Sequence, residues 1–304
     1  MVEVLHMTDP GCPWAWSASP AHAVLRWRYG DGLRWRHVMI GLTERAEQYE
    51  QRGYTPKMLA LGQRRFHRYG MPFAPVVKRR MAATAPACRA VVATRLRFPE
   101  RELEALRALQ CAQFTTRSLL DERIDIEAAL ARVDGLDPAL IVAALEDPEV
   151  VAAYEEDRAI ARSAVGTPAE VQGRAAQTDG PVRFTAPSLV FSRGEQRFVA
   201  GGFQPVEAYD VLLAHLAPDL ARREPATGIA EIMAAFPDGL FTAEVAAVMA
   251  PHLTPPDVAA AEAALIEASA QGSCVRIGAG NSALWRPPGD RAARLGPRQA
   301  TTTA

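Results

Sequence analysis

One cysteine, Cys12, stands where the sequence passes from a strand-like run to a helix-like one, a place suited to covalent thiol chemistry. It belongs to the stretch Thr8-Asp9-Pro10-Gly11-Cys12-Pro13-Trp14-Ala15-Trp16. Upstream, residues 2–7 alternate apolar and polar side chains in a β-rich composition. Downstream of Pro13, the apolar residues Trp16, Ala21, Val24, Leu25 and Trp27 fall near helical spacing. Pro13 suits the first turn of a helix, which has no use for the N–H that proline lacks. Cys12 is therefore predicted at a helix N-terminus, where unpaired amides and the positive end of the dipole favour an anion. That setting lowers a thiol pKa and keeps part of it as nucleophilic thiolate. The competing reading of Cys12 is a small capping hydrophobe without chemistry.

The elements that must hold this cysteine follow from the flanking pattern. Gly30-Asp31-Gly32 is a helix stop and turn signal, and residues 33–40 again alternate with a period of two. Together with the first strand and helix they make a βαβ unit, whose crossover is right-handed and whose ligand crevice lies at the carboxyl ends of the strands. Cys12 falls at that end. His37 lies inside the second strand and is read as structural, as are His6 and His22. Later in the chain, Phe184-Thr185-Ala186-Pro187-Ser188-Leu189-Val190-Phe191 places a proline directly before a β-rich run, a position tolerated at a strand start, an edge or a bulge. Ser192-Arg193-Gly194-Glu195 is a hairpin turn, and Gly201-Gly202-Phe203-Gln204-Pro205 opens a helix running to about residue 216. The two glycines either let backbone approach a ligand or simply make the turn. A phosphate loop is excluded by the absence of its lysine and spacing.

Between these halves, residues 45–177 are overwhelmingly helical in character, with helices predicted over 56–69, 87–96, 99–114, 125–133, 138–145 and 148–164. Cys88 is flanked by alanines and valines, and Cys111 shares a helical face with Leu103, Leu106 and Phe114. Both are assigned to the core. Either would be a resolving thiol if it faced Cys12. Arg64-Arg65, His67-Arg68 and Lys78-Arg79-Arg80 are basic clusters, read as solvated faces or as charge that receives a carboxylate-bearing thiol.

The Asp9-Pro10-x-Cys12-Pro13-Trp14-x-Trp16 turn resembles the active-site turn of the thioredoxin fold. The likeness is greatest to the DsbA-like branch that includes FrnE, the kappa-class glutathione transferases and the 2-hydroxychromene-2-carboxylate isomerases, in its actinobacterial form with a Cys-Pro-Trp-Ala site. The resemblance implies an α/β thioredoxin fold with a large all-helical insertion that closes over the cysteine. It implies that Pro187 is a cis-proline facing Cys12, and that Ala186 offers backbone to an extended ligand in the manner of strand addition. The substrate-binding candidates are then Pro13, Trp14, Trp16, Ala186, Pro187 and Gln204, with Trp14 and Trp16 as an aromatic wall and at least one of the two packed in the core. Ala15 stands where a dithiol enzyme of this branch carries its second cysteine. The implied activity is a monothiol thiol–disulfide oxidoreductase that uses glutathione or mycothiol as co-substrate and binds no cofactor tightly. The alternatives are a thiol-dependent transferase or isomerase of the kappa type, and a non-catalytic binding protein.

Composition bounds the rest. The chain has 304 residues, 49% hydrophobic and 23% charged, with formal net charge -1, so it has no general attraction to nucleic acid or anionic membrane. It begins almost directly with a strand and has no long apolar run, and the cytoplasm is expected. Its cysteines, Cys12, Cys88, Cys111 and Cys274, are too scattered for a zinc site or a disulfide framework. Residues 1–220 are assigned to the thioredoxin-like domain, 225–288 to a small winged-helix-like domain and 289–304 to a disordered tail. The long helix predicted at 257–271 carries Asp257, Glu262 and Glu267 but no Lys or Arg, so DNA would be repelled. Packing, lid or homodimer duty remains for this domain. Thr242 is expected to cap its second helix.

Overall fold

The computed structural model describes residues 1–178 and 180–288; Asp179 and the predicted tail from residue 289 lie outside the described residues. A four-stranded sheet of order β2-β1-β5-β6 forms the centre. Strand β1 (Val2–Thr8) runs parallel to β2 (Leu33–Met39), with Val2 opposite Leu33 and Thr8 opposite Met39. On its other side β1 pairs antiparallel with β5 (Ser188–Arg193), which turns at Gly194 into β6 (Gln196–Ala200). Gly194 takes a φ of +58°, a conformation that favours glycine in such a tight turn. A short ladder of β3 (Ala175–Ala176) and β4 (Arg183–Phe184) leads into β5.

Helix α1 (Pro13–Ser17) starts directly after β1 and is followed by α2 (Ser19–Tyr29), which carries the chain to β2. One face of the sheet is covered by α2 and α11 (Val206–Leu216), which bury Val2, Val4, Leu25, Leu189, Tyr209 and Leu213 together. The insertion contains α3 (Glu47–Gln51), α4 (Pro56–Gln63), α5 (Ala85–Arg97), α6 (Glu102–Thr115), α7 (Arg123–Leu130), α8 (Pro138–Ala143), α9 (Pro148–Ala161) and α10 (Pro168–Val171). The helix predicted over 56–69 is two pieces, because residues 64–69 tighten into a 3-10 helix that ends at Gly70 in the left-handed region. Alanine-rich α5 is the hub of the insertion: Ala87, Cys88, Ala90 and Val91 are fully buried against α6, α7, α8 and α9. Small side chains let these short helices approach closely.

The C-terminal segment folds as α12 (Ile229–Ala235), β7 (Leu240–Phe241), α13 (Thr242–Met249), α14 (Val258–Ala270), β8 (Val275–Ala279) and β9 (Ser282–Arg286), with sheet order β7-β9-β8. It shares a hydrophobic core with α2: Ala23, Val24 and Trp27 pack with Ile232, Val245, Leu265 and Trp285. The stretch before it is fastened to α2 as well, since Trp27 Nε1 donates to Glu224 O at 2.7 Å and Arg223 N to Arg28 O at 2.8 Å. Thr242 does not cap α13. Its hydroxyl accepts from Trp285 Nε1, while the Glu244 carboxylate accepts from Phe241 N at 2.7 Å and closes the helix end. The N-cap position falls on Phe241, one residue earlier, so the Thr242 hydroxyl is free to satisfy the buried indole N–H.

Candidate active site around Cys12

Cys12 occupies the N-cap of α1, with extended backbone and Pro13 at the first helical position. The cysteine is held from both sides, its amide donating to Asp9 O and its carbonyl accepting from Trp16 N, each at 3.1 Å. Its thiol donates to Ala186 O at 3.2 Å. The Ala186–Pro187 peptide bond is cis, at the start of β5 and next to the end of β1. Two segments 174 residues apart in sequence thus meet at one sulfur.

The electrostatics differ from what the helix terminus alone predicts. Burial pushes the Cys12 thiol up to about 12; the Ala15 and Trp14 amides act against it, and the Asp9 charge adds to the rise. With only 5% of its surface exposed, the sulfur loses more from desolvation than the first turn of a five-residue helix returns. The expected lowering is reversed in this closed arrangement. Asp9 is itself fully buried and accepts from Gly11 N at 2.7 Å, Leu42 N at 2.9 Å, Thr84 Oγ1 at 3.0 Å and Cys88 Sγ at 3.4 Å. Burial holds its pKa above the ordinary carboxylate range despite these donors. Sequence reading passed over Asp9 and Thr84 as site residues, and only the Asp-Pro before the cysteine pointed to them.

The other cysteines have separate partners. Cys88 faces Asp9, Cys111 lies 3.7 Å from Thr115 Oγ1, and Cys274 donates to Leu265 O at 3.6 Å. All four are buried and free.

The two tryptophans of the turn diverge. Trp14 is half-buried beside a cleft of about 260 Å³ that Gly11, Pro13, Tyr49 and Lys78 also line. Its ring meets Phe66, Tyr69 and Phe203 at centroid distances of 4.9, 5.7 and 5.6 Å. Trp16, expected beside Trp14 in an aromatic wall, does not line that cleft. It is fully buried, packs on Phe241 and Phe114, and donates its indole N–H to Pro72 O at 2.9 Å. Gln204 turns back on its own loop, its side-chain amide donating to Gly201 O at 2.8 Å. Of the basic clusters, Lys78 reaches the cleft but donates to Gln113 Oε1 and Ser118 O, and Arg80 is paired with Asp121 and Glu122.

A sheet of order β2-β1-β5-β6, a cysteine at the head of the helix after β1 and a proline facing it at the start of β5 define a DsbA-like thioredoxin fold with substantial added helix. Among solved structures the chain is similar to a putative protein disulfide isomerase from Nitrosomonas europaea, at 20% identity over 70% of this chain and 96% of that one, with a TM-score of 0.54. It is similar to a probable DsbA oxidoreductase from Streptomyces coelicolor, at 20% identity over 75% and 94%, TM-score 0.53. A third similar structure is the cytosolic disulfide reductase DsbM from Pseudomonas aeruginosa, at 18% identity over 71% and 99%, TM-score 0.51. At these identities the likeness is one of fold. No family model matches the sequence, and no curated protein does. Among the described residues no helix is long and apolar enough to cross a membrane.

Proposed function

We propose that the protein is a monothiol thiol–disulfide oxidoreductase in which Cys12 is the nucleophile and a low-molecular-weight thiol, glutathione or mycothiol, resolves it. The observation that carries this reading is the Cys12 thiol at the head of α1, 3.2 Å from the carbonyl that precedes cis-Pro187. Ala15 in the position of a second site cysteine, and the separate partners of Cys88 and Cys111, leave resolution to an external thiol. The Cys12 thiolate attacks one sulfur of a disulfide R–S–S–R, forming a Cys12–S–S–R bond and releasing RS⁻, which takes up a proton. The thiolate of a second thiol R′SH then attacks the R sulfur, gives R–S–S–R′ and returns Cys12 as thiolate. The Ala186 backbone orients the incoming disulfide, and Pro13 and Trp14, next to Cys12 in the chain, line the neighbouring cleft.

Cys12 sheds its proton before attack, and burial opposes this in the closed form. The step therefore belongs to a state in which water reaches the sulfur. A reducing cytoplasm, which maintains small thiols, suits such a cycle. The C-terminal module is winged-helix-like in element order, and α14, with no basic side chain, suits bracing α2 rather than binding DNA. The high thiol pKa favours a second reading, a binding protein that retains the fold.

One experiment separates the two. Reduced full-length protein is incubated with glutathione disulfide at mildly alkaline pH, and the adduct is mapped by mass spectrometry. A mixed disulfide on Cys12, absent in Cys12→Ser and discharged by added thiol, supports the oxidoreductase. A folded protein that forms no adduct, or forms it elsewhere, leaves the binding protein.

A further inference from the structure

A cavity of about 890 Å³ lies between the β1–β2 face of the sheet, α2, α6 and the C-terminal module. It touches α1 at Ala15 but does not include Cys12, and the function proposed above makes no use of it. The volume is in the range of small-molecule sites.

Among the arginines of its wall, Arg26 is the one withdrawn from solvent without a carboxylate partner among the described residues, whereas Arg223 is exposed and lies over the Trp27 ring. Glu244 is paired with Arg107, Glu104 with Arg101, Glu102 with Arg95 and Arg28 with Asp210. Half-buried Arg26 forms no ion pair with a carboxylate among the described residues. Its Nη2 donates to His37 Nε2 at 3.2 Å, its guanidinium lies 4.6 Å from the centre of the Trp35 ring, and its Nε is buried without a partner. Burial, with Arg107 next, pulls Arg26 down to about 10, so the cation is poorly solvated where it stands.

Around Arg26 the polar atoms are also unsatisfied. Both ring nitrogens of His6, Nε2 of His22 and the Trp35 indole N–H are buried and lack hydrogen-bond partners. Native interiors contain few such atoms, and several in one wall call for a missing partner. A metal ion is a poor candidate. Arg26 is donor-only, so its bond to His37 Nε2 puts the ring proton on Nδ1, which faces Glu102 Oε2 at 3.3 Å, and neither nitrogen is open to a metal. Among the described residues no group of histidine, cysteine and carboxylate side chains is arranged to hold one. A dianion is unsuited, because Arg26 stands near Glu244, Glu102 and Asp238, which would repel a second negative charge.

We propose that this cavity binds a small monocarboxylate with an aromatic or aliphatic body, its carboxylate facing Arg26 and the unsatisfied nitrogens of Trp35 and His22, and its body against Leu106 and Phe236. An arginine fork matches a carboxylate with two parallel hydrogen bonds, and Leu103, Leu106, Phe236 and Leu240 give the wall apolar surface for the body.

The test titrates benzoate, its neutral isostere benzamide and inorganic phosphate into the full chain. The readouts are the nitrogen-detected imidazole resonances of His6 and His22 and the thermal midpoint. Benzoate is expected to shift both histidines saturably and raise the midpoint, with benzamide and phosphate at least about tenfold weaker. Arg26→Gln is expected to lose about tenfold in benzoate affinity, while Cys12→Ser binds like the parent. The absence of a saturable change with benzoate overturns the proposal, as does equal binding of benzamide or phosphate. If Arg26→Gln fails to fold, the comparison of acid with amide on the parent protein still decides.

Discussion

At Cys12, desolvation and the amides of Trp14 and Ala15 act on one sulfur in opposite directions, and desolvation is the larger. With Cys88, Cys111 and Cys274 replaced by serine, the alkylation rate should keep rising through pH 9, because the thiol titrates near 12 rather than at the ~8.5 of a free cysteine. A plateau below that ordinary value would show the helix terminus prevailing. Asp9 allows a second test at the same scale. Asp9→Asn removes a charge that raises the Cys12 pKa, so alkylation at fixed pH should accelerate. It also sets an amide NH₂ among groups that all donate to the carboxylate, so stability should fall by about 1–3 kcal/mol, read from urea unfolding. A variant that alkylates no faster would mean that Asp9 acts on packing alone. The position of Cys12 was legible because Pro13 and the change of period mark it locally. Its burial was not, because Val38, Ile40, Ala161, Phe184 and Ala186, which share its hydrophobic cluster, come from remote parts of the chain.

At the scale of elements, Glu244 joins three parts of the molecule. Its carboxylate caps α13 through Phe241 N, accepts from Ser19 Oγ at the start of α2, and takes Arg107 of α6 through both oxygens at 2.5 and 2.8 Å. The pair is buried, and Arg107 with the other donors holds the carboxyl below its usual range against desolvation. Glu244→Gln should destabilise the protein by about 3–5 kcal/mol, because it leaves the Arg107 charge without its counter-ion. Replacing both residues, Glu244→Met with Arg107→Met, should recover much of that loss in denaturant titrations, and single and double variants of equal stability would refute the coupling. The same network explains what sequence could and could not give. The period of two in β1 and β2 and the order of helices in the insertion depend on neighbours in sequence, and they were readable. That the Thr242 hydroxyl goes to Trp285, that Glu244 also takes Ser19 and Arg107, and that the C-terminal module shares a core with α2, depends on contacts between segments distant in sequence. Trp16 shows the same limit, since the sequence placed it beside Trp14 while packing against Phe114 and Phe241 turned it away from the cleft.

At the scale of the whole molecule, the sheet, α2, the insertion and the C-terminal module close around histidines that are largely buried. Burial first, then Arg26 and His37, lowers His22 to about 3, and burial with the neighbouring histidines puts His6 well below its ordinary value. The folded chain therefore refuses protons that the unfolded chain binds once the pH drops below about 6.5, and stability must fall with acidification. Asp9 and Asp157 work the other way. Burial raises their pKa, so the folded chain takes up their protons earlier than the unfolded chain and acidification favours it. A single unfolding curve mixes the two contributions, but a difference between variants isolates one. Relative to the parent, His22→Leu should lose less stability between about pH 7 and 5, because one proton-refusing group is gone while both carboxylates remain. Parallel urea midpoints for the two proteins across that window would mean that His22 is protonated in the folded state, and that the interior around it is wetter than its 6% exposure implies.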